Sequence, residues 1–198
     1  MSLTPDERVR VYEQPPLRQV AGETIRPGGL ELTERAWAIC GLPPGARVVD
    51  VGCGTGATVE HLIAEHRTSA TGLDPSSRLL QEGRQRNGYL PLIRAPGERL
   101  PLVDGCVDAV LAECTLSLMA NLDQTLAECY RVLRPGGILA ISDLYARQPQ
   151  GAVDLHRLPL SSCLSGALPR QEWLSRVQAQ GFEIRLWEDH TDSLKRFA

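Results

Sequence analysis

The chain has 198 residues, 42% of them hydrophobic, and its 21 basic and 24 acidic side chains leave a net charge of −3, material for one domain around a single buried core. That balance excludes a polybasic nucleic-acid surface, because no cationic excess is present to displace counterions from phosphates and Lys195 is the sole lysine. No apolar run nears the ~20 residues that span a bilayer and the opening MSLTPDERVR lacks the apolar centre of an export signal, so neither nucleic acid nor membrane is an expected partner and the cytoplasm is the expected compartment.

In chain order, residues 1–28 are polar, carry QPP and IRPGG without sustained periodicity, and read as an irregular arm or lid. LELTERAWAIC has helical spacing, with Thr33, Trp37 and Cys40 on one face and Gly41 as its stop. ARVVDVGCGTG is a short β-branched run ending in glycines. ATVEHLIAEH then reads as helix, SATGLD as strand, SSRLLQEGRQRNG as a serine-capped helix stopped by Gly88, and YLPLIRA as strand. VDAVLA has the composition of a buried strand. NLDQTLAECYRVL places Leu122, Leu126, Cys129 and Leu133 on one helical stripe before RPGG, and ILAISD is a further strand.

Five strands with intervening helices predict a doubly wound α/β domain, a mostly parallel sheet in the order 3-2-1-4-5 with helices on both faces. The stretch 144–169 is far longer than an ordinary α/β connection, and loops of that length generally carry function. Helix RQEWLSRVQAQ follows, then FEIRLWED as an expected sixth strand beside the fifth, and SLKRFA as the start of another helix. The organisation expected is therefore an arm over 1–28 and a domain over 29–198, with its core at 45–143 and an acceptor-side loop at 144–169.

VVDVGCGTG carries the sharpest chemical signal. It follows a strand and opens a helix, its glycines let the backbone turn tightly and approach a ligand, and Asp74 in TGLDPS ends the next strand at the spacing of a carboxylate that accepts two ribose hydroxyls. The acidic residue ahead of the glycines, Asp50, suits a ligand with a positive amino group rather than a pyrophosphate. With VVDVGCGTG, GLDPS, VDAVLAE and CYRVLRPGGILAISD in this order and spacing, residues 45–143 resemble the class I S-adenosylmethionine-dependent methyltransferases.

The resemblance implies a Rossmann-like fold, S-adenosylmethionine as cofactor and a small-molecule methyl acceptor. It implies that Gly52 and Gly54 pack against the cofactor's amino-acid portion, that Asp50 orients its ammonium, and that Asp74 and Pro75 border the ribose. Gly97 and Glu98 would border the adenine, with Glu113 and Cys114 facing the methyl donor. The family normally closes its sheet with an antiparallel seventh strand, which this sequence does not supply, so a homodimer or another partner completing the sheet edge is an expectation.

A sulfonium methyl is already activated, so positioning and exclusion of water carry most of the catalysis, and a general base is needed only for a protonated acceptor. His61 and His66 lie on a helix outside the sheet and read as surface residues, His190 sits beside Glu188 and Asp189, and His156 in the long loop is the candidate base. The six cysteines are widely spaced and form no C-x-x-C pair. They read as free thiols, and no metal site is expected.

One of them stands out. VLAECTLSLMANLDQTLAECYRVLRPGGILAISDLYARQ followed by SSCLSGALPRQEWLSRVQAQGF is similar to arsenite methyltransferases, which carry an Asn-Cys-Val-Ile-Asn-Leu stretch after the fourth strand, and CLSGAL at 163–168 matches their Cys-hydrophobic-small-Gly-Ala-Leu segment. The resemblance implies that Cys163 is a thiolate ligand to a soft acceptor, an arsenic, selenium or sulfur centre. The family's other liganding cysteine falls near RPGGL, where this chain has Gly28 and Gly29, which leaves Cys163 as the principal acceptor thiol with Cys114 at the mouth of the cofactor site. The alternatives are an O- or C-methyltransferase of a quinone-like molecule, which would use His156, and a non-catalytic cofactor-binding subunit.

Overall fold

The computed structural model of the chain describes residues 9, 10, 12, 24–148, 150 and 160–197. In order, the elements are β1 (Val9–Arg10), α1 (Gly29–Cys40), β2 (Arg47–Val51), α2 (Ala57–His66), β3 (Ser69–Asp74), α3 (Ser77–Arg86), β4 (Leu92–Arg94) and β5 (Val107–Glu113). After a 3₁₀ turn at Leu116–Leu118 come α4 (Leu122–Val132), β6 (Leu133–Ser142), β7 (Tyr145–Ala146), β8 (Leu160–Ser161), β9 (Leu168–Pro169), α5 (Arg170–Ala179) and α6 (Thr191–Phe197).

Local signals set these boundaries. Gly41 ends α1 in the left-handed region at φ 58° and returns its N–H to the Trp37 carbonyl at 3.1 Å. The Ser76 hydroxyl caps α3 by accepting from the Leu79 N–H at 3.3 Å, and the Asn121 side chain caps α4 from Gln124 N–H at 3.1 Å. Helix α3 is capped at its end by Asn87 rather than by the expected Gly88.

The main sheet runs β4-β3-β2-β5-β6, and every pairing in it is parallel, the order read from the sequence. Strand β2 is buried on both faces. Val48 joins Val59, Leu62 and Leu80 beneath α2 and α3, while Val49 and Val51 join Cys129 and Val132 beneath α4, which is what double winding requires. Parallel strands place all their carboxyl ends on one edge, so Val51, Asp74, Arg94, Glu113 and Ser142 share that edge, with Asp50 one residue before it.

The sixth strand does not form. Residues 182–190 join no ladder, and β6 is the last strand of the sheet among the described residues. Its apolar positions do not share one period-two face: Phe182 meets Tyr130 edge-on at 5.2 Å, Ile184 packs over the cluster around Trp173 and Val177, and Trp187, out of that alternation, meets Tyr145 at 5.5 Å. These side chains cover the end of the core and leave the backbone away from β6. Two small pairings lie outside the main sheet. β7 pairs β9, and β8 pairs β1, so the N-terminal arm meets the long loop at Val9–Leu160 and Arg10–Ser161. Among the described residues no helix is long and apolar enough to cross a membrane.

Candidate active site

The glycine-rich turn leaves β2 with Gly52, Gly54 and Gly56 all left-handed, at φ 77°, 56° and 80°. A Cβ on Gly52 would collide with the Thr115 side chain, whereas Gly54 faces open space where a ligand can approach. Asp74 braces the turn from β3, its Oδ2 accepting from the Gly54 N–H at 2.9 Å and its Oδ1 from the Ser76 N–H at 2.8 Å. Beside it Asp50 is 3% exposed. Burial first, then the neighbouring Glu113 and Asp74 carboxylates against the pull of Arg26, pushes the Asp50 carboxyl up to about 8.

Glu113, at the end of β5, is held on three sides. The Thr33 hydroxyl donates to Oε1 at 2.9 Å, the Thr58 hydroxyl to Oε2 at 2.8 Å, and the Arg26 guanidinium pairs with Oε2 at 2.7 Å. The same guanidinium nitrogen donates to the hydroxyls of Thr33 at 2.6 Å and Thr58 at 3.0 Å. Arg26 lies in the IRPGG segment, which has no periodicity to mark it, and Thr33 reads from sequence only as a position on a helix face. Among the described residues the buried Arg26 Nε–H has no hydrogen-bond partner, which leaves a buried donor open to a ligand.

The second half of the site is a pair of thiols. In SSCLSGALP, Ser162 and Ser165 close a tight turn, with the Ser165 N–H reaching the Ser162 carbonyl at 3.0 Å and the Ser165 hydroxyl the same oxygen at 2.9 Å. Gly166 then passes so close to the Ser117 carbonyl that any Cβ would overlap it. Ser117 is itself fixed by Asp143, which accepts from its N–H at 3.0 Å and its hydroxyl at 2.7 Å. Cys114 leaves β5 at φ 55°, uncommon for a residue with a side chain, and its N–H donates to the Ser142 carbonyl at 2.6 Å.

These constraints bring Cys114 and Cys163, 8% and 7% exposed, to the same Tyr12 hydroxyl. The Tyr12 hydroxyl donates to the Cys163 sulfur at 2.9 Å, lies 3.7 Å from that of Cys114, and accepts from the Cys163 N–H at 3.1 Å. The Cys114 hydrogen bond, helped by Tyr12, lowers the Cys163 thiol against the effect of burial. Its partner moves the other way: the Cys163 bond, burial and nearby Asp143 raise Cys114. Of the two, Cys163 is therefore the thiol that ionises first and Cys114 the one that keeps its proton longer. Asp143, which holds Ser117, is pushed by burial up to about 6.

The remaining predicted residues are placed less tightly. Gly97 is buried against Met119, where a Cβ would be crowded. Glu98 accepts from the Asn121 N–H at 3.1 Å. Pro75 is exposed and its carbonyl accepts from Arg94 Nε at 3.2 Å. His156 lies outside the described residues. His61 and His66 do not simply face solvent, since both bond to Glu34. Cys129 is in the core beneath α4, and Cys40, Cys53 and Cys106 are half-buried free thiols. Tyr12, Arg26 and Asp143 are the members that sequence reasoning missed as site residues. Tyr12 carries no local signal, and Asp143 reads only as the end of ILAISD.

The methyltransferase-domain family matches residues 49–141. A demethylmenaquinone methyltransferase of Corynebacterium urealyticum is 30% identical over 174 residues, covering 77% of this chain and 74% of that protein. The chain belongs to the class I S-adenosylmethionine-dependent methyltransferases. It is also similar to a malonyl-[acyl-carrier protein] O-methyltransferase of Pectobacterium atrosepticum, 33% identical over 56% of this chain and 44% of that protein, and it spans about half or less of the length of the first such relatives. Among solved structures, an arsenic (III) S-adenosylmethionine methyltransferase from Chlamydomonas reinhardtii superimposes with a TM-score of 0.59 at 28% identity, covering 77% of this chain and 60% of that one.

The donor set fits the cofactor of the family. A zwitterionic amino-acid tail needs one acceptor for its ammonium and one donor for its carboxylate, and the Asp50 carboxyl and the Arg26 Nε–H could supply those two groups. Asp74, fixed by two backbone N–H groups at the end of β3, stands where the ribose-binding carboxylate of the family would stand.

Proposed function

We propose that the chain methylates a soft acceptor held by Cys114 and Cys163, with trivalent arsenic as the first candidate. When bound, S-adenosylmethionine supplies an electrophilic methyl group on a sulfonium. The observation that carries the reading is the thiol pair, two sulfurs from distant segments meeting beside the glycine turn under a Tyr12 hydroxyl. Arsenous acid would enter by exchange with two thiols, two As–S bonds forming as two waters leave, and soft sulfur donors favour such a centre over hard ones. Cys163, the thiol that loses its proton more readily, makes the first bond, its proton leaving with the displaced hydroxide as water. Cys114 gives its proton to a departing hydroxide and makes the second. Both sit buried, so the acceptor's lone pair is desolvated and aimed.

The likeness to the arsenic (III) methyltransferase, over 77% of the chain, supports the same reading. Here the second thiol is Cys114, at the place of the cysteine in the Asn-Cys-Val-Ile-Asn-Leu stretch, so the glycines at 28 and 29 do not leave Cys163 alone. Incubating the chain with arsenite, glutathione and labelled S-adenosylmethionine, and separating methylated arsenicals by mass spectrometry, tests the proposal. Methylarsenic products that vanish in Cys114→Ser and in Cys163→Ser are expected. Methyl transfer to a quinone-type acceptor that survives both substitutions would replace it with the O- or C-methyltransferase reading.

A further inference from the structure

Away from the thiols and the glycine turn, Glu34 of α1 and His61 and His66 of α2 bring one carboxylate and two imidazoles together, all three ligand atoms lying within 4.8 Å of one another. Both Nε2 atoms point at the same oxygen, His61 at 2.5 Å and His66 at 2.7 Å from Glu34 Oε1. The rings are fixed before any ligand arrives. His66 stacks on Trp37 at 4.4 Å and 27°, and His61 meets His66 edge-on at 5.9 Å. Their side chains are only 19% and 18% exposed, whereas that of Glu34 is 46% exposed and has room to swing.

We infer that this cluster is a binding site for a single divalent transition-metal ion, zinc foremost, that clips α1 to α2. Two imidazole nitrogens and a carboxylate are borderline donors that suit Zn²⁺, Co²⁺ and Ni²⁺ and not Mg²⁺ or Ca²⁺. In a tetrahedral zinc site with bonds of about 2.0–2.2 Å the ligand atoms stand about 3.3 Å apart. A withdrawal of the Glu34 carboxylate by less than about an ångström, which its exposure permits, therefore opens the space between the three ligand atoms for an ion. Three protein ligands leave a fourth position for water on the open side. The consequence reaches the cofactor pocket through one residue, since Glu34 adjoins Thr33, whose hydroxyl holds Glu113.

The site is independent of the proposed methyl transfer, and its test reads binding rather than activity. Co²⁺ titrated into the full reduced chain is expected to give visible d–d absorption that saturates near one equivalent, without the sulfur-to-cobalt charge-transfer absorption that capture by Cys114 and Cys163 would produce. Zn²⁺ should bleach that absorption and raise the melting temperature. Loss of even an outer hydrogen-bond partner of a metal ligand costs ~10–100-fold in affinity, so His61→Gln and His66→Gln should each weaken Co²⁺ binding by at least that much. Glu34→Gln, at an exposed carboxylate, gives the same reading should a histidine variant fail to fold, while Cys163→Ser should bind as the parent does. Absorption dominated by sulfur charge transfer, no saturation near one equivalent, or binding that the ligand substitutions leave unchanged would overturn the assignment.

Discussion

Arg26→Met removes the guanidinium from Glu113 while keeping a side chain of similar length against α1. In the parent the two side chains are 10% and 4% exposed, so the carboxylate left behind cannot recover water. Breaking a buried ion pair by deleting one member typically costs 3–5 kcal/mol. Glu113 keeps the Thr33 and Thr58 hydroxyl bonds at 2.9 and 2.8 Å, which points to the lower end, about 3 kcal/mol. For a chain of this size that is a fall in melting temperature of roughly 6–12 °C. The Arg26 Nε–H has no partner to lose, so it adds no unsatisfied acceptor. Adding Glu113→Gln to Arg26→Met replaces the stranded charge by a neutral amide whose oxygen accepts from one of the two hydroxyls while its NH2 donates to the other, and should return most of the loss. Chemical denaturation of the parent, both single variants and the double variant at pH 7 closes the cycle. A loss below about 1 kcal/mol for Arg26→Met, or no recovery in the double variant, would refute the reading of Glu113 as a buried, charged anchor.

Asp50 carries a carboxyl raised to about 8, so between about pH 4 and pH 8 the folded chain holds a proton that the unfolded chain releases, and stability from this group falls as pH rises through that window. A cofactor ammonium at Asp50 favours the carboxylate, so calorimetry of S-adenosylmethionine binding near pH 7 in buffers of different ionisation enthalpy should report proton release, and buffer-independent heats would count against Asp50 as the ammonium partner. At the thiol pair, Cys163 should react with iodoacetamide at lower pH than an ordinary thiol and Cys114 only at higher pH. Cys114→Ala removes the largest cause of the lowered Cys163 value and should move its reaction midpoint upward in mass-mapped alkylation, with Tyr12→Phe shifting it the same way by less; an unmoved midpoint in both would break the shared-proton picture.

What the sequence made legible is what short-range physics determines. Strand, glycine turn and helix at 47–66, the acid at Asp74 and the capped helices α3 and α4 all follow from period, caps and backbone freedom, and the sheet order follows from right-handed crossovers. The sixth strand failed because period two in FEIRLWED breaks at Trp187, and tertiary packing against Tyr130 and Tyr145 outweighed a ladder. The site was legible where a motif kept its parts close in sequence and illegible where its parts came from far apart. Tyr12 reaches Cys163 across 151 positions and Thr33 reaches Glu113 across 80, and no local pattern encodes such a meeting. Yet the loop at 161–169 did carry a readable cause. Gly166 is small because the Ser117 carbonyl occupies the space of its Cβ, and Ser162 and Ser165 fold the turn back on itself. The small residues around Cys163 are therefore the means by which the loop descends far enough for its thiol to meet the one that ends β5, and a bulkier residue at 166 would separate the two sulfurs without touching either.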